Sequence, residues 1–324
     1  MGAGFVSGRE LVSFFGTGGF IFYLIFASIL LSACFLVLFL CGRNFKGLGE
    51  LNKTIFVREK FLNYAVLTAS FISVSSMISG IDSLIKTAFN FNLPIGSITL
   101  LILVSVFSYK GVKGVERLSV ILMPIVIITA TFMILKKGDV TYVGGESLGV
   151  LGLILALLYP TMNTFINLPV LVDCAYHKSK KVLCICAVLS GVILCVEGYL
   201  ILNTVIVNGT TNSDVPLLSA LKGGGFILFF ACLFSSVVTS VFSAYYPLYF
   251  FSKERGGSLG VILLALLVYC FSRLGLKNII SYVYPILGVF GTVYLFYCVK
   301  FLFRFKKLNK NANRENNKRY RRNL

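Results

Sequence analysis

Apolar and polar positions follow one another in long blocks along this chain rather than alternating residue by residue. Apolar stretches of membrane-spanning length recur from one end to the other, and the segments between them hold most of the charges. About 20 apolar residues are what an α-helix needs to cross the hydrocarbon core of a bilayer. The pattern predicts an all-α polytopic membrane protein, because a transmembrane barrel would require short strands of alternating polarity.

The blocks predict ten segments, of which the first is only half a helix. This half helix is expected from about Gly8 to Phe15, after glycines at positions 2, 4 and 8 that allow extended or left-handed backbone. The first segment therefore resembles the second half of a broken membrane helix. Full spans are expected at residues 19–41, 61–89, 93–108, 116–135, 148–173, 182–207, 225–251, 259–273 and 279–303.

The span at 148–173 contains helix breakers in its middle. Pro160 and Pro169 flank a stretch rich in hydroxyl and amide side chains. Proline removes a backbone donor and clashes with the preceding turn, so a continuous helix is not expected there. Inside a bilayer, interrupted helices are found where they line a cavity, and secondary transporters place their substrate and ion sites there. A proline-kinked span without any ligand is the alternative interpretation.

The distribution of charge predicts the orientation of the chain. The net charge is +18, from 30 Lys and Arg residues against 12 Asp and Glu residues. If the first segment runs outward, 23 of the basic residues fall on the cytoplasmic side and six on the outer side. Such asymmetry follows the positive-inside rule and predicts a multi-pass protein of the cell membrane.

A basic tail at 306–324 is expected in the cytoplasm, without fixed structure. It holds almost no aromatic residue on which a base could stack, so it is expected to contact anionic membrane lipid and not nucleic acid.

The two halves of the chain repeat one organisation. In each half a broken segment and a long span precede a connector, at 42–60 in the first half and at 208–224 in the second. Five spans per half is an odd number, so the second half must be inverted relative to the first. The predicted organisation is a first repeat at 1–135, a connecting loop at 136–147 and an inverted repeat at 148–305.

Span 225–251 carries a stripe of hydroxyl groups. Ser236, Thr239, Ser240 and Ser243 fall on one helical face. Hard cations are bound by oxygen ligands, so the stripe is a candidate sodium site together with carbonyls of the glycine-rich first segment. Close helix packing, with the hydroxyls bonded back to their own helix, explains the same pattern equally well.

Four charged residues lie inside or at the edge of predicted apolar segments: Arg9, Glu10, Asp82 and Glu197. Charges within a bilayer are costly, and they are usually paired or face a cavity. Arg9 is expected to neutralise Glu197, Glu10 or a substrate carboxylate. Asp82 has Lys86 four residues further on, a spacing that permits an ordinary ion pair.

Catalytic and cofactor chemistry is not indicated. The nine cysteines lie in or beside apolar spans, and the single histidine leaves no metal-binding spacing, so no disulfide, metal site or cofactor is expected beyond a coupling Na⁺ or H⁺. The chain has no H-E-x-x-H pair and no G-x-S-x-G elbow, so it is not expected to be an enzyme.

The opening residues carry a family resemblance. Gly2 to Leu11, with the sequence GAGFVSGREL, followed by Ser13-Phe14-Phe15, resembles the first-helix signature of the bacterial YkvI-type membrane proteins. These proteins are similar in turn to the amino acid-polyamine-organocation superfamily, whose members have the leucine-transporter-like fold of five plus five inverted helices. The resemblance covers essentially the whole chain and departs at the front, where the family has further apolar residues before Gly2.

The resemblance implies where ligands would bind. The unwound part of the first helix corresponds to Gly2–Gly8 and implies substrate contacts at Gly2, Ala3, Gly4, Ser7 and Gly8. The unwound part of the sixth helix implies further contacts at Thr161, Asn163, Thr164 and Asn167. Ser236, Thr239 and Ser240 are similar to an element that contributes oxygens to the sodium site of sodium-coupled relatives.

The expected function is secondary transport of a small organic solute, of the amino acid or amine class, by a symporter driven by sodium or protons. A solute sensor or receptor subunit with the same fold and no flux is the alternative, as in spore germinant receptors that resemble this superfamily. A partner subunit is left open by the sequence.

Overall fold

A computed structural model describes residues 3–56, 59–91, 93–107, 124–135, 147–221 and 226–322 of the 324-residue chain. For 305–322 and for Ala3, Phe107 and Ser243, only the backbone is described. Gly2 and most of the predicted connecting loop lie outside these residues. Within the described ranges every regular element is a helix, and the only β contact is an isolated bridge between Gly18 and Ser147. The all-α prediction is confirmed.

Seven helices precede residue 136 in the described part of the chain. They are α1 (Ala3–Val6), α2 (Arg9–Phe15), α3 (Phe20–Gly42), α4 (Leu48–Ile55), α5 (Glu59–Phe89), α6 (Ile95–Phe107) and α7, described over Pro124–Leu135.

The helices that follow residue 147 are longer on average. They are α8 (Gly149–Ile166), α9 (Leu168–Ala175), α10 (Lys180–Val207), α11 (Pro216–Ala220), α12 (Phe226–Ser272), α13 (Leu276–Asn278) and α14 (Tyr284–Arg322), with a π-helical turn at Ile279–Val283 before α14.

Several of these helices have the length and the apolar character of membrane spans. Among the described residues, six helical stretches qualify, within α3, α5, α8, α10, α12 and the segment Leu276–Arg304, and α6 and α7 are shorter apolar helices. Their outward faces carry large apolar side chains such as Ile227, which is 80% exposed, and Val150, which is 74% exposed. A surface of this kind is stable in lipid and not in water. The chain is therefore a membrane protein with multiple spans.

Helix α12 corresponds to two predicted spans, 225–251 and 259–273. Its 47 residues would be far longer than a bilayer is thick if they formed one straight rod. The backbone at Gly257 is non-helical, with φ 57° and ψ −144°. A Cβ placed on Gly260 would lie only 2.5 Å from the carbonyl oxygen of Ser252, so the chain folds back at Gly257. The two spans are the two arms of this hairpin.

Glycines allow the helices to approach one another closely. Gly288 and Gly291 of α14 lie against the backbone of α8 at Leu158 and Thr161, and the hydroxyl of Thr161 donates to the carbonyl oxygen of Gly288 over 2.9 Å. Helix α3 contacts α8, α9, α10 and α14, and α5 packs along α12. Small residues at helix crossings are the usual means of packing in membranes, where lipid removes the hydrophobic drive for helix association.

The prediction that the tail lacks fixed structure is wrong for its backbone. Helix α14 continues without interruption to Arg322. A helix already nucleated by a packed span extends without a further nucleation cost, and the Lys, Arg and Glu residues of this tail are good helix formers.

Candidate functional site

The first segment is interrupted at Ser7 and Gly8, as the glycine pattern predicts. Helix α1 ends at Val6 and α2 begins at Arg9, while Gly8 adopts the left-handed conformation with φ 82° and ψ −11°. A side chain at this position would be strained and would also press on Ile201. The interruption is shorter than the Gly2–Gly8 stretch that the resemblance implies, because Ala3–Val6 closes one helical turn.

The expectation of an unwound sixth segment over 161–167 is wrong. Helix α8 continues through Pro160 to Ile166, and only Asn167, with φ −97° and ψ 11°, separates it from α9. The polar side chains that were expected to face a solute donate instead to carbonyl oxygens of the same helix. These bonds run from Thr161 to Leu158 over 3.0 Å, from Asn163 to Tyr159 over 3.1 Å, from Thr164 to Pro160 over 2.8 Å and from Asn167 to Asn163 over 2.8 Å.

These bonds satisfy the polar side chains of α8 within the helix itself. Thr and Asn side chains in a helix can donate to carbonyl oxygens of the preceding turn of the same helix. Inside a bilayer no water is available for that role. The hydroxyl- and amide-rich composition around Pro160 is thus accounted for by the helix itself.

A small, partly enclosed cavity lies beside the break of the first segment. Its volume is about 30 Å³, so only a few water molecules fit in it. The first segment, α5, α12 and the region before α14 form its walls. The lining residues are Gly4, Ser7, Glu10, Ser76, Met77, Gly80, Leu84, Val215, Leu233, Val237, Leu276, Ile280 and Tyr284.

Glu10 is the acidic residue of this cavity. It is only 6% exposed, and its carboxylate lies so close to Gly4 that a Cβ at position 4 would overlap it. The one ion pair among described side chains joins Asp82 to Arg273, so no described basic side chain pairs with Glu10. Any residue larger than glycine at position 4 would displace the carboxylate of Glu10.

Two hydroxyl groups in the wall of the same cavity are hydrogen-bonded to each other. The hydroxyl oxygens of Ser76 and Tyr284 are 2.5 Å apart, and Ser76 also bonds to the carbonyl oxygen of Ser73 over 2.8 Å. The sequence marks neither residue as a binding residue. Ser76 belongs to a stripe of small residues on α5 that is typical of helix packing, and Tyr284 precedes Pro285 in an apolar span, so neither pattern distinguishes a cavity wall.

Arg9 donates hydrogen bonds to the loop that covers the break between α1 and α2. Its guanidinium donates to the carbonyl oxygens of Thr211 over 2.9 Å and of Ser213 over 3.3 Å. The backbone N–H of Leu217 donates to the carbonyl oxygen of Ser7 over 3.0 Å. Residues 208–221 therefore close one side of the first segment, and we call them the covering loop.

Arg9 forms no ion pair with Glu197 or Glu10 among the described residues, and Glu197 and Asp82 have other partners. Glu197 on α10 accepts a hydrogen bond of 2.7 Å from Thr131 and has no basic partner among the described residues. Asp82 lies 3.4 Å from Arg273 rather than pairing with Lys86. It also accepts from the backbone N–H of Ser97 over 2.9 Å. Sequence spacing suggested the helical neighbour, whereas the packing of α5 against the end of α12 brings Arg273 closer.

The hydrogen bond at Glu197 gives a first prediction. In Thr131→Val the carboxylate loses its donor while remaining buried, and its second oxygen already has no partner among described groups. We expect a loss of about 1–3 kcal/mol in stability, because a buried acceptor is left unsatisfied. Thermal unfolding of purified protein measures it, with Thr131→Ser as the control that keeps the hydroxyl. Equal unfolding temperatures for the Val and Ser variants would contradict the expectation.

The hydroxyl stripe of α12 lies next to the cavity without lining it. Ser236 and Thr239 are buried and Ser240 is half-buried, and the hydroxyl of Thr239 donates to the carbonyl oxygen of Ser236 over 3.0 Å. Among the described residues of this helix, Leu233 and Val237 form the cavity wall. The bond within the helix agrees with the packing interpretation, and the sodium interpretation stays a prediction.

Taken together, the fold and the cavity define an α-helical, multi-span membrane protein with an interrupted first segment. No model of a known protein family matches the chain. The chain is 25% identical over 323 residues to "Uncharacterized membrane protein YkvI" of Bacillus subtilis (strain 168), and the match covers 91% of this chain and 90% of that protein. The similarity supports the YkvI-type resemblance and membrane location, and the relative's name specifies no activity.

Proposed function

We propose that the protein is a secondary transporter that moves a small organic solute, of the amino acid or amine class, across the cell membrane. The observation that carries this proposal is the cavity at Ser7 and Gly8, where helical backbone is interrupted at a membrane-embedded segment. A bilayer tolerates non-helical backbone where it is buried in protein or lines a cavity, and transporters use such places for binding. A sodium or proton gradient supplies the energy.

The order of elements supports the five-plus-five inverted fold as part of the same proposal. In the first half, the broken pair α1–α2 is followed by the long helix α3, the short helix α4 and the long helix α5. In the second half, the interrupted pair α8–α9 is followed by α10, the short helix α11 and the first arm of α12. The two connectors at 42–60 and 208–224 thus each contain one short helix.

The transport cycle follows from how narrow the cavity is. A cavity that admits only a few water molecules must widen before a solute of several non-hydrogen atoms enters. In this proposal α1–α2, α3, α8–α9 and α10 rock against the remaining spans, and the covering loop opens and closes one side. The basic tail lies on the cytoplasmic side, where anionic lipid attracts it. Ser236, Thr239 and Ser240 are the candidate ligands if sodium is the coupling ion.

Reconstituted protein tests the proposal. Proteoliposomes are loaded with unlabelled solutes from a panel of amino acids and amines, and counterflow of each labelled solute is measured with and without a sodium or a pH gradient. We expect saturable uptake of at least one panel member above that of protein-free vesicles. Saturable binding without any counterflow would assign the protein to the solute-sensing class instead, and neither binding nor uptake across the panel would reject both functions.

A further inference from the structure

We infer that Glu10 carries the coupling proton of the proposed transporter, so that the driving ion is H⁺ rather than Na⁺. This inference rests on the proposed function and specifies its energy source. It assigns the buried carboxyl group at the start of α2 to a defined step, in which the group binds a proton on one side of the membrane and releases it on the other.

None of the described side chains that line the cavity with Glu10 is basic. The titratable side chains that face it among described residues are Tyr159, from α8, and Tyr284, at the start of α14. Helix α5 contributes Ser76 to the cavity, and α12 contributes only the apolar Leu233 and Val237. The guanidinium of the adjacent Arg9 is directed at the covering loop.

A carboxylate cannot remain ionised in such a place at small cost. Transferring an unpaired charge into an apolar environment is so unfavourable that the group binds a proton instead. The narrow cavity offers too few water molecules to solvate the ion, and no described basic side chain neutralises it. With the cavity closed, Glu10 is therefore held as the neutral acid.

Opening of the cavity reverses this preference. When water reaches the carboxyl group from one side, ionisation becomes favourable and the proton leaves into that compartment. The exchange involves only the O–H bond of the acid, so charge and atoms balance with one proton taken up and one released. Because protonation favours the closed conformation and ionisation the open one, proton binding and conformational change are linked.

The other membrane acids are less suited to this step. Glu197 is hydrogen-bonded to Thr131 and does not line the cavity, while Asp82 pairs with Arg273 at the edge of the bundle. Among the described acidic residues, Glu10 alone lies in the cavity and beside the break at Ser7 and Gly8. A proton bound to Glu10 is therefore held on α2, one of the helices that move in the proposed transport cycle.

The test compares Glu10→Gln with wild-type protein in proteoliposomes. For one-to-one coupling, a gradient of about one pH unit supports about tenfold accumulation of solute. Wild-type protein should reach that ratio under an inward proton gradient, and Glu10→Gln should fall to a ratio of about one. Glu254→Gln is the matched control, because Glu254 is an exposed acid at the α12 hairpin, and it should accumulate solute as wild type does.

A spectroscopic measurement separates the possible failures. At neutral pH the infrared spectrum of wild-type protein should contain the carbonyl band of a protonated carboxylic acid that Glu10→Gln lacks. Absence of that band overturns the inference whatever the transport data show. A carrier driven by sodium alone, or a Glu10→Gln variant with wild-type accumulation, also overturns it and leaves the proposed function standing. Wild-type protein that moves no solute rejects the proposed function, and the coupling role falls with it.

Discussion

Replacing Gly291 by alanine is expected to destabilise the protein strongly, by about 3 kcal/mol. A Cβ at this position would overlap the backbone carbonyl group of Thr161 and press on Phe165. The obstacle is main chain of α8, so no rotamer change can relieve it and the two helices must move apart. Separation would also break the hydrogen bond between the hydroxyl of Thr161 and the carbonyl oxygen of Gly288, and that hydroxyl would lose a buried partner.

Thermal unfolding in detergent measures this effect, and Gly256 provides the matched control. A Cβ added at Gly256, which directly precedes the fold-back of α12 at Gly257, meets no atom within 4 Å. Gly256→Ala should unfold at or slightly above the wild-type temperature, because alanine favours helix more than glycine does. If both alanine variants unfold at the same temperature, the close approach of α14 to α8 is not a source of stability.

Removing the guanidinium of Arg9 is expected to loosen the covering loop. Hydrogen bonds to charged groups contribute about 1.5–3 kcal/mol each, and Arg9 makes two such bonds to loop carbonyls. In Arg9→Met the closed position of the loop loses these bonds while the apolar stem of the side chain keeps its packing. Loss of both bonds, about 3–6 kcal/mol, corresponds to at least a roughly 100-fold greater population of open loop.

Amide hydrogen exchange of residues 208–221 measures that population. The N–H of Leu217, which donates to the carbonyl oxygen of Ser7, is protected only while the loop is closed, and local exchange rates report such opening. Arg255→Gln is the control, because Arg255 bonds to Tyr64 at a different part of the bundle. Unchanged exchange in Arg9→Met would show that the loop is held by its apolar contacts and not by Arg9.

The first segment, its covering loop and Pro160 show which structural features local sequence patterns can predict and which they cannot. The break at Gly8 was predictable, since clustered glycines favour left-handed backbone whatever surrounds them. The partner of Arg9 was not predictable, because Thr211 and Ser213 lie about 200 positions further along the chain and offer backbone carbonyls, which every residue has. The interpretation of Pro160 was also wrong: proline predicts a break, whereas α8 continues through it, and Asn163 and Thr164 donate to carbonyl oxygens of the same helix.

For Glu10, the sequence revealed one property and the tertiary structure decided another. Its presence in an apolar segment identified it as an unusual charge, since the cost of burying a carboxylate depends only on its chemistry. Its position in the cavity depends on α5, α12 and the start of α14, which bring Ser76, Leu233 and Tyr284 around it. The sequence distinguished none of these three from ordinary packing residues.

By itself, the sequence determined that the protein is helical, that it crosses the membrane repeatedly and that its first segment is broken. Those properties follow from the local balance between apolar length, charge and backbone freedom, which neighbouring segments barely alter. Only the tertiary structure decided which polar groups are already satisfied within a helix, which side chains line the cavity and which loop Arg9 holds. These depend on contacts between residues far apart in the chain, and in a bilayer such contacts are set by close packing and hydrogen bonding that no periodic pattern records.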